Sequence, residues 1–85
     1  MVTSDYMKDK ILSFIIATVT EYMDESINIE YDTDISEINI NSILFVQLVL
    51  KIESEFDVEF DDAMLITSKY KTIGDVVSYV ELLLQ

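Results

Sequence analysis

Apolar residues recur along much of this chain at the spacing of an α-helix. Ile11, Leu12, Ile15, Ile16, Val19, Tyr22 and Met23 share one face, and Phe14 widens it. The pattern predicts a first helix from about Asp5 to Met23, capped by Ser4 or Thr3. The period then fails. Asp24 to Ile40, "DESINIEYDTDISEINI", is polar and turn-like, but Ile27, Ile29, Tyr31, Ile35 and Ile38 punctuate it like pins that fold it onto a core. A structured loop of this length is uncommon in a small domain and is often functional. A second helix is predicted from Ser42 to near Phe56. "DVEF", Asp57 to Phe60, then turns the chain with Val58 and Phe60 inward. A short helix follows around Asp61 to Thr67, and "SKYK" forms a loop. The last helix starts at "TIGD", where Thr72 caps and Asp75 completes a capping-box pattern. Its inner face is Ile73, Val76, Val77, Val80, Leu83 and Leu84. The expected fold is all-α: a four-helix bundle of three long helices and one short, with a long loop between the first two long helices.

The second helix is unusual in having two apolar sides. At about 100° per residue, Phe45, Leu48, Val49, Ile52 and Phe56 form a core stripe. Ile43, Val46 and Leu50 fall on another side, beside Gln47 and Ser54. One apolar face is enough for a bundle helix. The second is either further core or an exposed contact for a partner protein, and the helical wheel alone does not choose.

Composition narrows the function more than the fold. With 85 residues, residues 1–85 read as one domain. A domain this size buries only about 60–65% of its unfolded surface, and a 51% hydrophobic content can fill such a core. Proline is absent and glycine occurs once, at Gly74, which favours helices. The net charge of −12, from 17 acids and 5 bases, repels phosphate backbones and argues against nucleic acid. It steers toward basic patches on proteins, or only keeps the domain soluble. No apolar run approaches the ~18 residues of a membrane span, and "MVTSDYMKDK" lacks the order of a signal peptide. The expectation is a soluble, cytoplasmic monomer. Histidine and cysteine are both absent. A Ser-His-Asp triad is therefore excluded, a zinc site would have to be all carboxylate, and no catalytic residue is assigned.

Between the polar loop and the second helix stands Ser42, in "ININSILFV". A serine at a helix start is most often a cap. Free backbone N–H groups and the positive end of the helix dipole also favour a phosphate there.

The segment "DTDISEININSILFVQLVLKIESEFDVEF" resembles the acyl and peptidyl carrier proteins. Ile38-Asn39-Ile40-Asn41-Ser42-Ile43 falls on that family's L-G-x-D-S-L. Glu53, Glu55 and Phe56 fall on its acidic helix end, and "TIGDVVSYV" looks like the start of its last helix. The resemblance covers nearly the whole chain. It implies that Ser42 carries a 4'-phosphopantetheine arm, added from coenzyme A by a phosphopantetheinyl transferase, with Asn41 and Ile43 flanking it for recognition. The arm's thiol would hold an acyl or aminoacyl group as a thioester, so a chain without cysteine could do thioester work as a non-catalytic carrier. Partners would be the transferase, an acyl- or aminoacyl-loading enzyme and downstream synthase enzymes, meeting Val46, Gln47, Leu50 and Glu53. The family's glycine is Asn39 here, and asparagine tolerates a left-handed backbone. Its aspartate is Asn41, which keeps a capping oxygen and loses a charge.

The apolar partner face resembles carriers of nonribosomal peptide or polyketide assembly, whereas the overall acidity resembles the fatty-acid type. The short chain reads as a free-standing carrier. Two other readings compete. In a helical interaction module without cofactor, Ser42 is a plain cap. Calcium binding by "DESINIEYDTD" or "EFDVEFDD" lacks the D-x-D-x-D-G loop with its terminal glutamate, and solvated acids explain these runs better.

Overall fold

The computed structural model describes the backbone of residues 2–23 and 28–85, and the side chains of residues 6–23 and 28–85. Among the described residues three α-helices carry the fold: α1 (Val2–Met23), α2 (Ser42–Phe56) and α3 (Ile73–Leu84). Short 3₁₀ turns lie at Ile35–Glu37, Asp62–Met64 and Thr67–Lys69.

Helix α1 presents Ile11, Ile15 and Val19 fully buried, with Leu12, Phe14, Ile16 and Met23 packed around them. This is the stripe its spacing predicts. It packs against both α2 and α3, and Phe14 meets Phe56 edge-on at 5.6 Å between ring centroids. The start of α1 differs from the expectation. It begins at Val2, so the backbone of Thr3 and Ser4 lies inside the helix rather than before it. No proline or glycine stands there to stop the helix from extending backwards.

Helix α2 begins at Ser42 and ends at Phe56, as its pattern predicts. Phe45, Leu48, Val49 and Ile52 are buried. Asp57 ends it in the left-handed conformation, φ 56°, and its N–H donates to the Glu53 carbonyl. Asparagine and aspartate are the non-glycine residues that adopt this cap most readily. Val58 then packs against the core and Phe60 is buried.

The fourth helix expected around Asp61 to Thr67 is absent, and two 3₁₀ turns stand in its place. Each starts from an extended residue, Asp61 and Ile66. The Asp61 side chain accepts the Ala63 N–H at 3.0 Å, capping the first turn. The Met64 carbonyl, which a continuing α-helix would use, instead accepts the Tyr70 hydroxyl at 2.8 Å. A third strong local acceptor is Asp75. With Thr72 it forms a complete capping box on α3. Ile73, Val76, Val77 and Val80 are buried and Leu83 packs against the core, whereas Leu84, expected inward, is exposed.

The loop before α2 is a built part of the fold. Ile29, Ile35 and Ile38 are buried, as their spacing suggests, and Ile27 lies outside the described residues. Tyr31 pins the loop from outside. Its ring covers Gly74, where a Cβ would come within 2.5 Å of the ring. Its hydroxyl lies 3.1 Å from Ser78 Oγ. Three backbone hydrogen bonds tie the loop to α3 and the residues just before it: Ile35 N–H to the Lys71 carbonyl at 2.9 Å, Ile73 N–H to the Thr33 carbonyl at 2.9 Å, and Gly74 N–H to the Tyr31 carbonyl at 2.6 Å. The loop thereby satisfies two N–H groups at the start of α3 that a helix leaves orphaned.

Candidate functional site

The approach to Ser42 is set one residue at a time. Asp34 caps the first 3₁₀ turn by accepting the Ser36 N–H at 2.9 Å and the Ser36 hydroxyl at 2.7 Å. These bonds, with Lys71 nearby, hold the Asp34 carboxyl below its ordinary pKa. Ile38 anchors the strap in the core. Asn39 then takes φ 59°, the left-handed conformation that asparagine tolerates. The reversal brings Asn41 to the helix start. Its side-chain oxygen accepts the Leu44 N–H at 2.7 Å, and its carbonyl accepts the Phe45 N–H at 2.9 Å.

Asn41 is therefore the N-cap, and Ser42 is the first residue inside α2. This corrects the reading of Ser42 as a cap. Both residue types cap helices well. The backbone decides, because Asn41 is extended at φ −84°, ψ 172° and Ser42 is helical. Ser42 is exposed. Among the described residues, neither its N–H nor that of Ile43 has a hydrogen-bond partner. The two helix starts thus differ: loop carbonyls close α3, and α2 stays open beside an exposed hydroxyl.

The second apolar side of α2 faces solvent. Ile43 is 71% exposed, Leu50 59% and Val46 40%, and Gln47 is also exposed. The structure chooses here what the helical wheel left open. Glu53 behaves differently from these four. It is half-buried, and its carboxylate accepts the Phe60 N–H at 2.7 Å, holding the turn after α2.

An open groove of about 520 Å3 lies beside the approach to Ser42. It is lined by Asp34, Ile35, Ser36, Asn39 and Ile40 of the loop and by Thr67, Ser68, buried Tyr70 and Lys71 of the segment before α3. Burial pushes the Tyr70 phenol well above its ordinary pKa, and nearby Tyr79 adds to this. Sequence reasoning missed the groove, because it forms between two segments about thirty residues apart that only the straps on α3 bring together. Within "EFDVEFDD", Asp61 is spent locally on the Ala63 N–H, and Glu53, just before it, on the Phe60 N–H. Among the described residues no three acids converge as a metal site would require.

The model of the phosphopantetheine attachment site family matches residues 10–80. This chain belongs to that family. Over 76 residues it is 38% identical to the acyl carrier protein of Thermotoga maritima, covering 87% of this chain and 91% of that protein. Its fold matches the crystal structure of an acyl carrier protein from Thermotoga maritima, with a TM-score of 0.77 at 22% identity, covering 92% of this chain and 91% of that one. The chain is a non-catalytic carrier of a 4'-phosphopantetheine group. Members of this family interact with phosphopantetheinyl transferase and with biosynthetic enzymes. The residues around Ser42 fit the group. The exposed hydroxyl gives access, and the N–H groups of Ser42 and Ile43 suit a phosphate on that oxygen.

Proposed function

We propose that Ser42 is the attachment residue and that the chain serves peptide- or polyketide-type assembly in the cytoplasm as a single carrier domain. The observation that carries this is the division of labour at the start of α2. Asn41 does the capping, so the adjacent serine hydroxyl is exposed with no structural task. Bound, the arm supplies the thiol on which an acyl or aminoacyl group is held as a thioester. The protein's part is to present the serine, to seat a phosphate against open N–H groups, and to guide partners. Asn41 and Ile43 flank Ser42 for transferase recognition. Val46, Gln47 and Leu50 continue the same exposed side toward synthase and loading enzymes, with Glu53 at its far end. The shared core of α1, α2 and α3 supports a single domain.

Support for the finer assignment is the apolar character of that side. In a chain of net charge −12, α2 presents Ile43, Val46 and Leu50 where an acid-guided contact would need carboxylates. Fatty-acid synthesis is the alternative, and the overall acidity favours it. Fragment masses of the modified chain test the site: the arm is expected on Ser42, and finding it on another serine would overturn the assignment. Loading rates at rising salt test the partner class. An apolar contact predicts rates that hold in salt and fall for Leu50→Glu. Rates that collapse with salt while Leu50→Glu loads normally would favour the fatty-acid reading.

A further inference from the structure

Where side chains close the start of a turn or helix, this chain draws on carboxylates in every described case but one. Asp34 and Asp61 cap two of the 3₁₀ turns, and Glu37 and Asp62 stand in the turns they start. Asp75 completes the box on α3. The pattern suits the positive end of a helix, where a negative charge is favoured. Helix α2 departs from it. Its cap is the neutral amide of Asn41, and its first turn holds no acid.

The departure extends along the chain. From Ile38 through Leu50 there is no charged residue, in a protein with 17 acids and 5 bases. The flanking charges are Glu37 and Lys51. Asp34 and Lys71, which line the groove beside Asn39, are opposite in sign. The start of α2 therefore keeps its positive end in neutral surroundings.

Asn41 does half of what a capping aspartate does. Its oxygen accepts the Leu44 N–H at 2.7 Å, but it leaves the charge of the helix end unanswered. A carboxylate in its place would accept the same bond, answer that charge, and repel an anion arriving beside it. A phosphodiester on the Ser42 oxygen carries the missing charge, and its free oxygens are acceptors for the open N–H groups of Ser42 and Ile43.

We propose that Asn41 is a positioning residue for the arm. Its uncharged cap keeps the start of α2 open to the phosphodiester, so the root of the arm is seated on the helix end and modification strengthens α2. The inference rests on Ser42 being the attachment residue.

The test reads the wild type, Asn41→Asp and Asn41→Thr with and without the arm, loaded from coenzyme A by a broad transferase. Fragment masses place the arm. Thermal unfolding and backbone amide NMR follow at 0.1 M salt, where a Debye length of ~10 Å screens remote acids but not a contact at hydrogen-bond distance. Loading should raise the wild-type melting temperature by roughly 2–6 °C, the span expected for a charge at a helix end in a domain of this size. It should also move the Ile43 amide proton downfield. Asn41→Thr, a neutral cap, should keep both effects. In Asn41→Asp the rise should vanish or reverse and the Ile43 shift shrink, whereas a merely structural role for Asn41 would move loaded and unloaded chains equally. An equal rise in Asn41→Asp and wild type overturns the inference alone, as does a loaded wild type with no rise or an unmoved Ile43 amide. Where Asn41→Asp resists loading, the wild-type and Asn41→Thr readings decide. An arm absent from Ser42 overturns the Ser42 reading and this inference with it.

Discussion

Asn41 and Ser42 are adjacent, equally polar and chemically capable of the same cap, yet only one does the work. Asn41 accepts the Leu44 N–H, so Asn41→Ala should cost about 1 kcal/mol of stability, the usual value for losing a cap. Ser42→Ala should change stability by less than about 0.5 kcal/mol, as for an exposed site with no special role. Urea unfolding of the two variants measures the difference, and equal losses would return the capping role to Ser42. Tyr70 makes a second residue-scale prediction. Its buried, hydrogen-bonded phenol stays protonated to a pH well above the ordinary ~10 of tyrosine in an unfolded chain. Above pH ~10 the unfolded state therefore releases a proton that the folded state keeps, and stability falls as pH rises; below it, the contribution is fully present. Tyr70→Phe should flatten this alkaline decline, and an unchanged decline would assign it to other groups. At this scale the sequence was partly legible. The resemblance placed Asn39 at the family's glycine, a position asparagine can hold in the left-handed conformation, and φ 59° is what it adopts. The choice between Asn41 and Ser42 was hidden because it depends on a one-residue difference in where the loop becomes helix.

Elements were legible where their apolar period is long. The stripes of α1, α2 and α3 could be read from spacing, and so could the box Thr72–Asp75, because each is a local pattern. The segment after Phe60 was misread because its fate is decided by a contact six residues away, the Tyr70 hydroxyl on the Met64 carbonyl. The same holds for the strap between loop and α3. No local signal pairs Tyr31 with Gly74, yet the ring occupies the space a Cβ would need. This coupling predicts a reversal of sign. Alanine in a helix is normally favoured over glycine by up to ~1 kcal/mol, but Gly74→Ala should destabilise the protein because it pushes the Tyr31 ring away. In a Tyr31→Ala background the same substitution should become neutral or stabilising. A double-mutant cycle by thermal unfolding checks this, and additive effects would show that the ring and the glycine are independent.

For the whole molecule, charge sets the conditions under which the fold is held. Seventeen acids stand against five bases on a small domain, and such an imbalance destabilises the compact state by self-repulsion. Screening shortens that repulsion, with a Debye length near ~30 Å at 0.01 M salt and ~10 Å at 0.1 M. The melting temperature should therefore rise with sodium chloride over that range, and a flat response would mean the charges are already spaced beyond mutual influence. Composition alone made this legible, together with the absence of His and Cys. The exposure of Ile43, Val46 and Leu50 was not, because it depends on α1 and α3 leaving that side of α2 uncovered. With the loop strapped to α3, we propose that the fold serves as a mount for one serine, Ser42.

That claim is tested most directly by intact mass after incubation with coenzyme A and a broad phosphopantetheinyl transferase, comparing wild type with Ser42→Ala. Both are first shown to be folded by circular dichroism. The account predicts a gain of one phosphopantetheine on the wild type and none on Ser42→Ala at nearly unchanged stability. Modification of folded Ser42→Ala, or none on the folded wild type, would contradict it.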